Sequence, residues 1–242
     1  MALVPDPRPL DTCVWQSLTG AHRAFSVGTD TVRRYAPGFS PIIGFANPEE
    51  PDWEALATLC APGEHLYTGA WSGPVPPGWT LDLDSAAWQM VWQGGLPEPD
   101  PEAPWVTLTA SHAPQMVDLA TRLRPGPFGL RTLELGDYLG YLEQGQLIAM
   151  AGERFQAGPF REVSGVCTEP SHQGRGLARR LMLALIRRQC QRGQVPFLHV
   201  MRDNARARQI YERMGFVAYR EMIVRVISRA QPTHDSTSPS TP

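Results

Sequence analysis

The sequence contains no lysine: all 22 of its cationic side chains are arginine, set against 24 acidic ones in 242 residues. That absence removes whole classes of chemistry. A Schiff-base lysine, a lysine general base and a phosphate loop ending in Gly-Lys-Ser/Thr are each excluded. Long apolar runs are missing as well; none reaches the roughly 18 residues that suggest a membrane span. The proline-rich start, residues 1–12, lacks the apolar segment of a signal peptide, so a cytoplasmic location is expected. Cysteine is sparse. Cys13, Cys60, Cys167 and Cys190 stand apart, without CxxC spacing and without a histidine at zinc-finger spacing, which predicts buried thiols and no metal site. A net charge of −2 gives no basic footprint for nucleic acid, and the tryptophans concentrate in the acidic part of the chain rather than on a basic face.

What is present is unevenly spread. Residues 1–160 hold 8 Arg against 18 acidic residues, whereas residues 161–229 hold 14 Arg against 5. The basic third therefore has a reason to face an anion or the acidic two-thirds. Proline divides the chain similarly, with 18 of its 24 occurrences before residue 128. The stretch 96–104 (LPEPDPEAP) cannot sustain a helix or a central strand and reads as a linker. These features predict an N-terminal domain over 1–104, a second domain over 105–229 and a polar, disordered tail over 230–242. Before the linker, residues 51–60 suggest a short helix, and Trp71, Trp79, Trp88 and Trp92 suggest a core of short strands and turns.

After the linker the pattern sharpens. Strands are expected at 105–110, 138–142, 147–154, 161–168, 195–201 and 216–227, with a hairpin turn at 143–145. Helices are expected at 112–122 with Ser111 as a cap, at 132–141, at 177–191 and from Asp203 or Asn204 to Met214. In the third of these Leu177, Leu181, Ala184 and Leu185 repeat at i, i+4, i+7 and i+8. The result is an α+β arrangement: a mixed, mostly antiparallel sheet with helices on both faces, preceded by a smaller N-terminal α/β domain.

The segment 161–178 (REVSGVCTEPSHQGRGLA) is the most informative. A strand ends at Thr168, and Gln173-Gly174-Arg175-Gly176-Leu177-Ala178 opens the long helix. Glycines there let backbone approach a ligand, and the first helical N–H groups, aligned with the macrodipole, suit a pyrophosphate. A dinucleotide-binding fingerprint does not fit, because Arg179 stands where a third glycine is needed, and a phosphate loop does not fit, because there is no lysine. In the second segment, NARARQIYERMGF, Asn204, Ala207 and Tyr211 share one helical face.

Together the two segments resemble the GNAT superfamily of acyl-CoA-dependent N-acetyltransferases. Gln173, Gly176 and Ala178 match the first family motif; Asn204, Ala207, Tyr211, Gly215 and Phe216 match the second. The resemblance covers about residues 105–227, and the N-terminal stretch has the length of a degenerate second copy of the same fold. By resemblance, the pantetheine arm of acetyl-CoA enters a gap beside the strand ending at Thr168, opened by a bulge that Gly165 suits. Backbone groups of Val166, Cys167 and Thr168 would bind it. Gln173, Gly174, Arg175, Gly176, Leu177, Ala178 and Arg179 would hold the pyrophosphate, with Asn204, Ala207 and Tyr211 completing the cofactor-binding set. The resemblance makes Tyr211 the acid for the leaving thiolate and the Val166 N–H the oxyanion donor. Glu162, eleven residues before Gln173, is the candidate base, with a raised pKa among apolar neighbours; Glu153 is the reserve. Asn204 either bonds the cofactor or caps its helix. Cys167 points away from the Val166 face and is expected in the core. Arg206 and Arg208 could reach the 3′-phosphate, and His199 lies on a strand near the cofactor.

The expected activity is acetyl transfer from acetyl-CoA to a primary amine in a ternary complex, with a small-molecule amine or peptide as acceptor, no metal, no nucleic acid and no membrane, by a monomer or homodimer. The alternative is a non-catalytic acyl-CoA-binding regulatory module. The acceptor pocket is expected between the two halves, near Phe128, Leu130 and the N-terminal tryptophans.

Overall fold

The computed structural model describes residues 5–101 and 104–230; the expected tail beyond 230 lies outside the described residues. In chain order the elements are α1 (Cys13–Thr19), β1 (Ser26–Gly28), β2 (Val32–Tyr35), β3 (Ile43–Phe45), α2 (Trp53–Thr58), β4 (His65–Gly69), β5 (Trp79–Trp92) and β6 (Val106–Thr107). They continue with α3 (Ala113–Leu123), β7 (Tyr138–Glu143), β8 (Gln146–Ala157), β9 (Phe160–Thr168), α4 (Leu177–Gln191), β10 (Val195–Met201), α5 (Ala205–Met214) and β11 (Phe216–Arg229).

Eight strands form one sheet in the order β4-β11-β5-β10-β9-β8-β7-β6, and β1, β2 and β3 form a separate three-stranded sheet. Within the large sheet β9 and β10 run parallel and the other neighbouring pairs are antiparallel. Helices cover both faces. Leu177, Leu181, Met182, Leu185 and Ile186 of α4 are buried against Ala149, Ala151, Val163 and Leu198. On the opposite face α3 buries Met116, Leu119 and Ala120 against Met150 and Cys167, and α1 buries Cys13 and Leu18 with Phe155, Phe160 and Phe197. Burying a Leu or Ile side chain contributes about 1.5–3 kcal/mol, so α4 alone supplies a large part of this packing.

The boundary expected near residue 104 does not separate two sheets. β5, from the N-terminal side, lies between β10 and β11, paired with β11 from Trp92↔Phe216 to Trp79↔Arg229 and with β10 from Val91↔Phe197 to Ala87↔Met201. The proline-rich stretch joins two strands of one sheet instead of two cores. Trp79, Trp88 and Trp92, expected on short strands, lie on one 14-residue strand, because residues 79–92 contain no Gly or Pro to break it, while Trp71 lies outside any strand.

Two local expectations change. The helix expected over 132–141 is a single 3-10 turn, Thr132–Leu135, and β7 starts at Tyr138. Gly136 sits so close to the buried Glu153 and Arg161 side chains that an added Cβ would lie 2.1 Å from the guanidinium, so the chain extends there instead of coiling. Ser111 is not the cap of its helix; Thr109 and His112 form a capping box one turn earlier, around a 3-10 turn leading into α3. Asp52 caps α2 and Asn204 caps α5, each accepting a backbone N–H.

Because β5 supplies the partner for both β10 and β11, a fragment of residues 105–230 should leave two unpaired edges in mid-sheet. Such a fragment is expected to show no cooperative thermal transition by circular dichroism, whereas the full chain shows one.

Candidate active site

The parallel pairing of β9 and β10 stops at Glu162↔Phe197. Beyond it Val163 to Thr168 of β9 and Leu198 to Met201 of β10 run on without pairing to each other, which leaves an open seam in the middle of the sheet. The cause is legible on the other side of β9. Between Met150↔Cys167 and Gly152↔Ser164, β8 advances two residues while β9 advances three. The extra residue is a bulge at Gly165, whose φ of +63° suits glycine. An added Cβ there would also meet Tyr138 at 3.3 Å and Phe128 at 3.6 Å.

The seam opens into a cavity of about 660 Å³ lined by Val163, Ser164, Gly165, Val166, Leu198, His199, Asn204 and Tyr211. Its far side is lined by Arg124, Phe128 and Arg154, and by Val14, Leu83 and Met222 from α1, β5 and β11. Phe128 lines it as expected, but Leu130 and the tryptophans do not. Trp53 packs with Trp71 and Trp79 in a core of their own, and Trp88 lies beneath the Arg208 guanidinium.

The expected phosphate end, residues 173–179, follows the end of β9 in the chain and does not line the cavity. Gly174 and Gly176 take φ of +79° and +74° with open space around them. No side chain caps the start of α4, so its first N–H groups keep their capacity for an anion. Arg179 is exposed without a partner among the described residues, and Arg175 makes only a 3.5 Å contact with Glu143. Gln173 donates from Nε2 to the Thr168 carbonyl (3.2 Å) and ties the loop to the strand. Leu177 is buried in the core below the loop. Asn204 caps α5 through the Ala207 N–H at 3.1 Å. Arg208 is engaged by Glu212 and Trp88, while Arg206 is exposed with no partner among the described residues.

The Tyr211 hydroxyl has no hydrogen-bond partner among the described residues, and burial pushes its pKa up. It therefore holds its proton at neutral pH. The Cys167 thiol is buried against α3 instead of lining the cavity, and burial pushes it up to about 12. A thiol so placed is a poor nucleophile.

Glu162 departs from expectation. It is 1% exposed, and both carboxylate oxygens are filled. Arg154 donates to them from Nε and Nη2, each at 2.9 Å, the Phe155 N–H donates at 3.2 Å, and His199 Nδ1 lies at 2.7 Å. Burial alone would raise its pKa. The adjacent Arg154 guanidinium, with His199, outweighs that and holds the carboxyl far below the usual range. The expected raised pKa is thus reversed, and Glu162 has no lone pair left for an amine's proton. Glu153, the reserve, is 1% exposed and bonded to Arg161, Gln189 and the Asp137 N–H, away from the cavity.

Glu162 belongs to a row that sequence reasoning missed. Arg220 of β11 donates from Nε to Gln89 Oε1 of β5 (2.7 Å), which turns the Gln89 amide so that Nε2 donates to His199 Nε2 of β10 (3.1 Å) and to the Leu10 carbonyl (3.0 Å). His199 must then donate from Nδ1 to Glu162 of β9, which meets Arg154 of β8. A signal was available: Arg154 and Glu162 stand at facing ends of the consecutive strands expected at 147–154 and 161–168.

Sheet order, the opened seam and the uncapped glycine turn define an acyl-CoA N-acyltransferase fold. A family model described as FR47-like protein matches residues 138–226. A crystal structure of a GNAT-family protein from Novosphingobium aromaticivorans is 35% identical, with a TM-score of 0.82 over 92% of this chain and 99% of that one. The chain belongs to the GNAT family of acetyltransferases. A curated relative, N-alpha-acetyltransferase RimI of Mycobacterium tuberculosis, is 37% identical over 82 residues, which is 33% of this chain and 51% of that protein. The chain thus matches about half the length of that curated relative. A GCN5-related N-acetyltransferase from Kribbella flavida shares the fold at 17% identity, with a TM-score of 0.59 over 96% of this chain and 98% of that one.

Replacing Glu162 by Gln strands the Arg154 charge in a buried site and is expected to cost about 3–5 kcal/mol in urea denaturation. Because the native carboxyl titrates below its unfolded value, its stabilisation is complete above about pH 4.3 and fades as pH falls from there toward the native value. The stability gap between wild type and Glu162→Gln should therefore hold constant above about pH 4.3 and narrow below it.

Proposed function

We propose that this protein transfers an acetyl group from acetyl-CoA to a primary amine by direct attack in a ternary complex. The observation that carries the reading is the seam between β9 and β10, opened by the Gly165 bulge and leading to the uncapped start of α4. An extended pantetheine arm fits beside β9 and bonds the backbone of Val166, Cys167 and Thr168. The amides from Gly174 to Arg179 hold the pyrophosphate, with the Arg175 and Arg179 guanidiniums adding charge. Gln173 fixes the loop, and Asn204 and Ala207 set α5 so that Tyr211 lines the cavity.

The chemistry needs a neutral amine, a donor to the developing oxyanion and a proton for the leaving thiolate. The amine nitrogen attacks the thioester carbonyl carbon while the Val166 N–H receives the charge growing on oxygen. The C–S bond then breaks, the Tyr211 phenol protonates the thiolate, and the proton lost by the amine passes to water in the cavity. Glu162 is a positioning residue: held ionised by Arg154, it fixes His199 and the floor of the site and takes no proton.

Tyr211→Phe removes one hydroxyl and no packing contact. It is expected to lower kcat for amine-dependent thiol release by about 10²–10⁴-fold while leaving the acetyl-CoA thermal shift nearly intact. Unchanged turnover would overturn the acid role of Tyr211, and absence of turnover in the wild type over a broad amine panel would instead favour a binding module.

A further inference from the structure

The acceptor side of the cavity carries an unusual charge arrangement. Its charged lining consists of Arg124, Arg154 and Glu162. The single carboxylate has both oxygens occupied by Arg154, His199 and the Phe155 N–H. No anionic lone pair is left to receive a second ammonium, so a polyamine or aminoglycoside finds nothing to hold its remaining charges.

The guanidiniums are differently placed. Arg154 spends Nε and Nη2 on Glu162 and stacks over the Phe155 ring at 4.4 Å. Its Nη1 has no hydrogen-bond partner among the described residues, and it lies 3.7 Å from the point where a Cβ on Gly126 would stand. Gly126 itself lines the cavity, so nothing bulky separates that edge from the loop. Arg124 is also without a side-chain partner among the described residues. It ends α3 in the left-handed region, φ +51° and ψ +52°, where glycine is usual and a side chain costs about 1–2 kcal/mol. Pro125 and Pro127 stiffen the loop that follows, Ser40 donates to the Pro127 carbonyl (2.7 Å), and Phe128 packs edge-on against Tyr138. Val14, Leu83, Phe128 and Met222 give this cavity an apolar wall, beside the polar Tyr67, Thr68 and Thr121.

We propose that the acceptor is an amino acid with an apolar side chain, whose carboxylate is read by Arg124 together with the free Nη1 edge of Arg154. This rests on the acetyl-transfer reading above and names the substrate class of that same site. The carboxylate accepts from two guanidiniums, the side chain lies along the apolar wall, and the amine is carried toward the Gly165 bulge.

The test is a paired panel: leucine, phenylalanine and methionine, their amides, and spermidine, each scored by kcat/KM for thiol release. The acids should exceed their amides by at least about tenfold, the weight of one charge-assisted contact, and spermidine should be a poor substrate. Arg124→Gln should raise KM for the acids at least about tenfold with little change for the amides, and Arg124→Lys should restore part of the preference. Amides or spermidine acetylated as fast as the acids, or an Arg124→Gln variant that lowers acids and amides alike, overturns the acceptor assignment and leaves acetyl transfer standing. Normal acetyl-CoA binding with no amine acetylated overturns the transfer reading and this assignment with it.

Discussion

Five polar side chains, one from each of five neighbouring strands, make a single hydrogen-bonded row across the middle of the sheet: Arg220, Gln89, His199, Glu162 and Arg154. Each depends on the next for its orientation. The arginine at one end fixes the amide, the amide selects the imidazole tautomer, and the imidazole shares the carboxylate with the arginine at the other end. A buried ion pair of this kind is weak evidence for net stability but costly to break on one side. Its value here is geometric. It crosses the line where β9 and β10 part, and so it marks where pairing ends and the seam begins.

The same row divides the labour of the site. On the seam side lie backbone groups, two glycines and a helix start, all suited to an elongated anionic ligand. On the other side lie apolar walls and arginine. Tyr211 and Ser164 line the cavity between them with no hydrogen-bond partner among the described residues. This arrangement locks Glu162 and one edge of Arg154 in a fixed network and leaves neutral hydroxyls facing the cavity. That is what a reaction passing through a developing oxyanion in a confined space requires.

Much of the second half was legible in the sequence because local signals agreed there. The α4 periodicity, the glycine at 215 and the cap at Asn204 each specify an end or a face without help from distant residues. The bulge was legible for a related reason: an isolated glycine in a strand marks either a weakness or a purpose. What escaped notice depended on long-range partners. The charge state of Glu162 is set by Arg154 across a hairpin and by His199 from another strand, and neither appears in its immediate neighbourhood. The role of residues 79–92 escaped for the same reason. Their alternation, Thr80-Leu81-Asp82-Leu83-Asp84, was visible, but the proline-rich stretch after them suggested separation where the fold uses a crossing.

That crossing has a consequence for how the chain is made. Trp88, Met90, Val91 and Trp92 are synthesised roughly a hundred residues before β10 and β11, the strands that enclose them. At about 5–20 residues per second on the ribosome, this segment waits on the order of ten seconds with its sticky surface uncovered. The centre of the sheet can close only after nearly the whole chain has emerged. A nascent chain arranged this way must rely on partial early contacts or on chaperones while its middle strand waits for both neighbours.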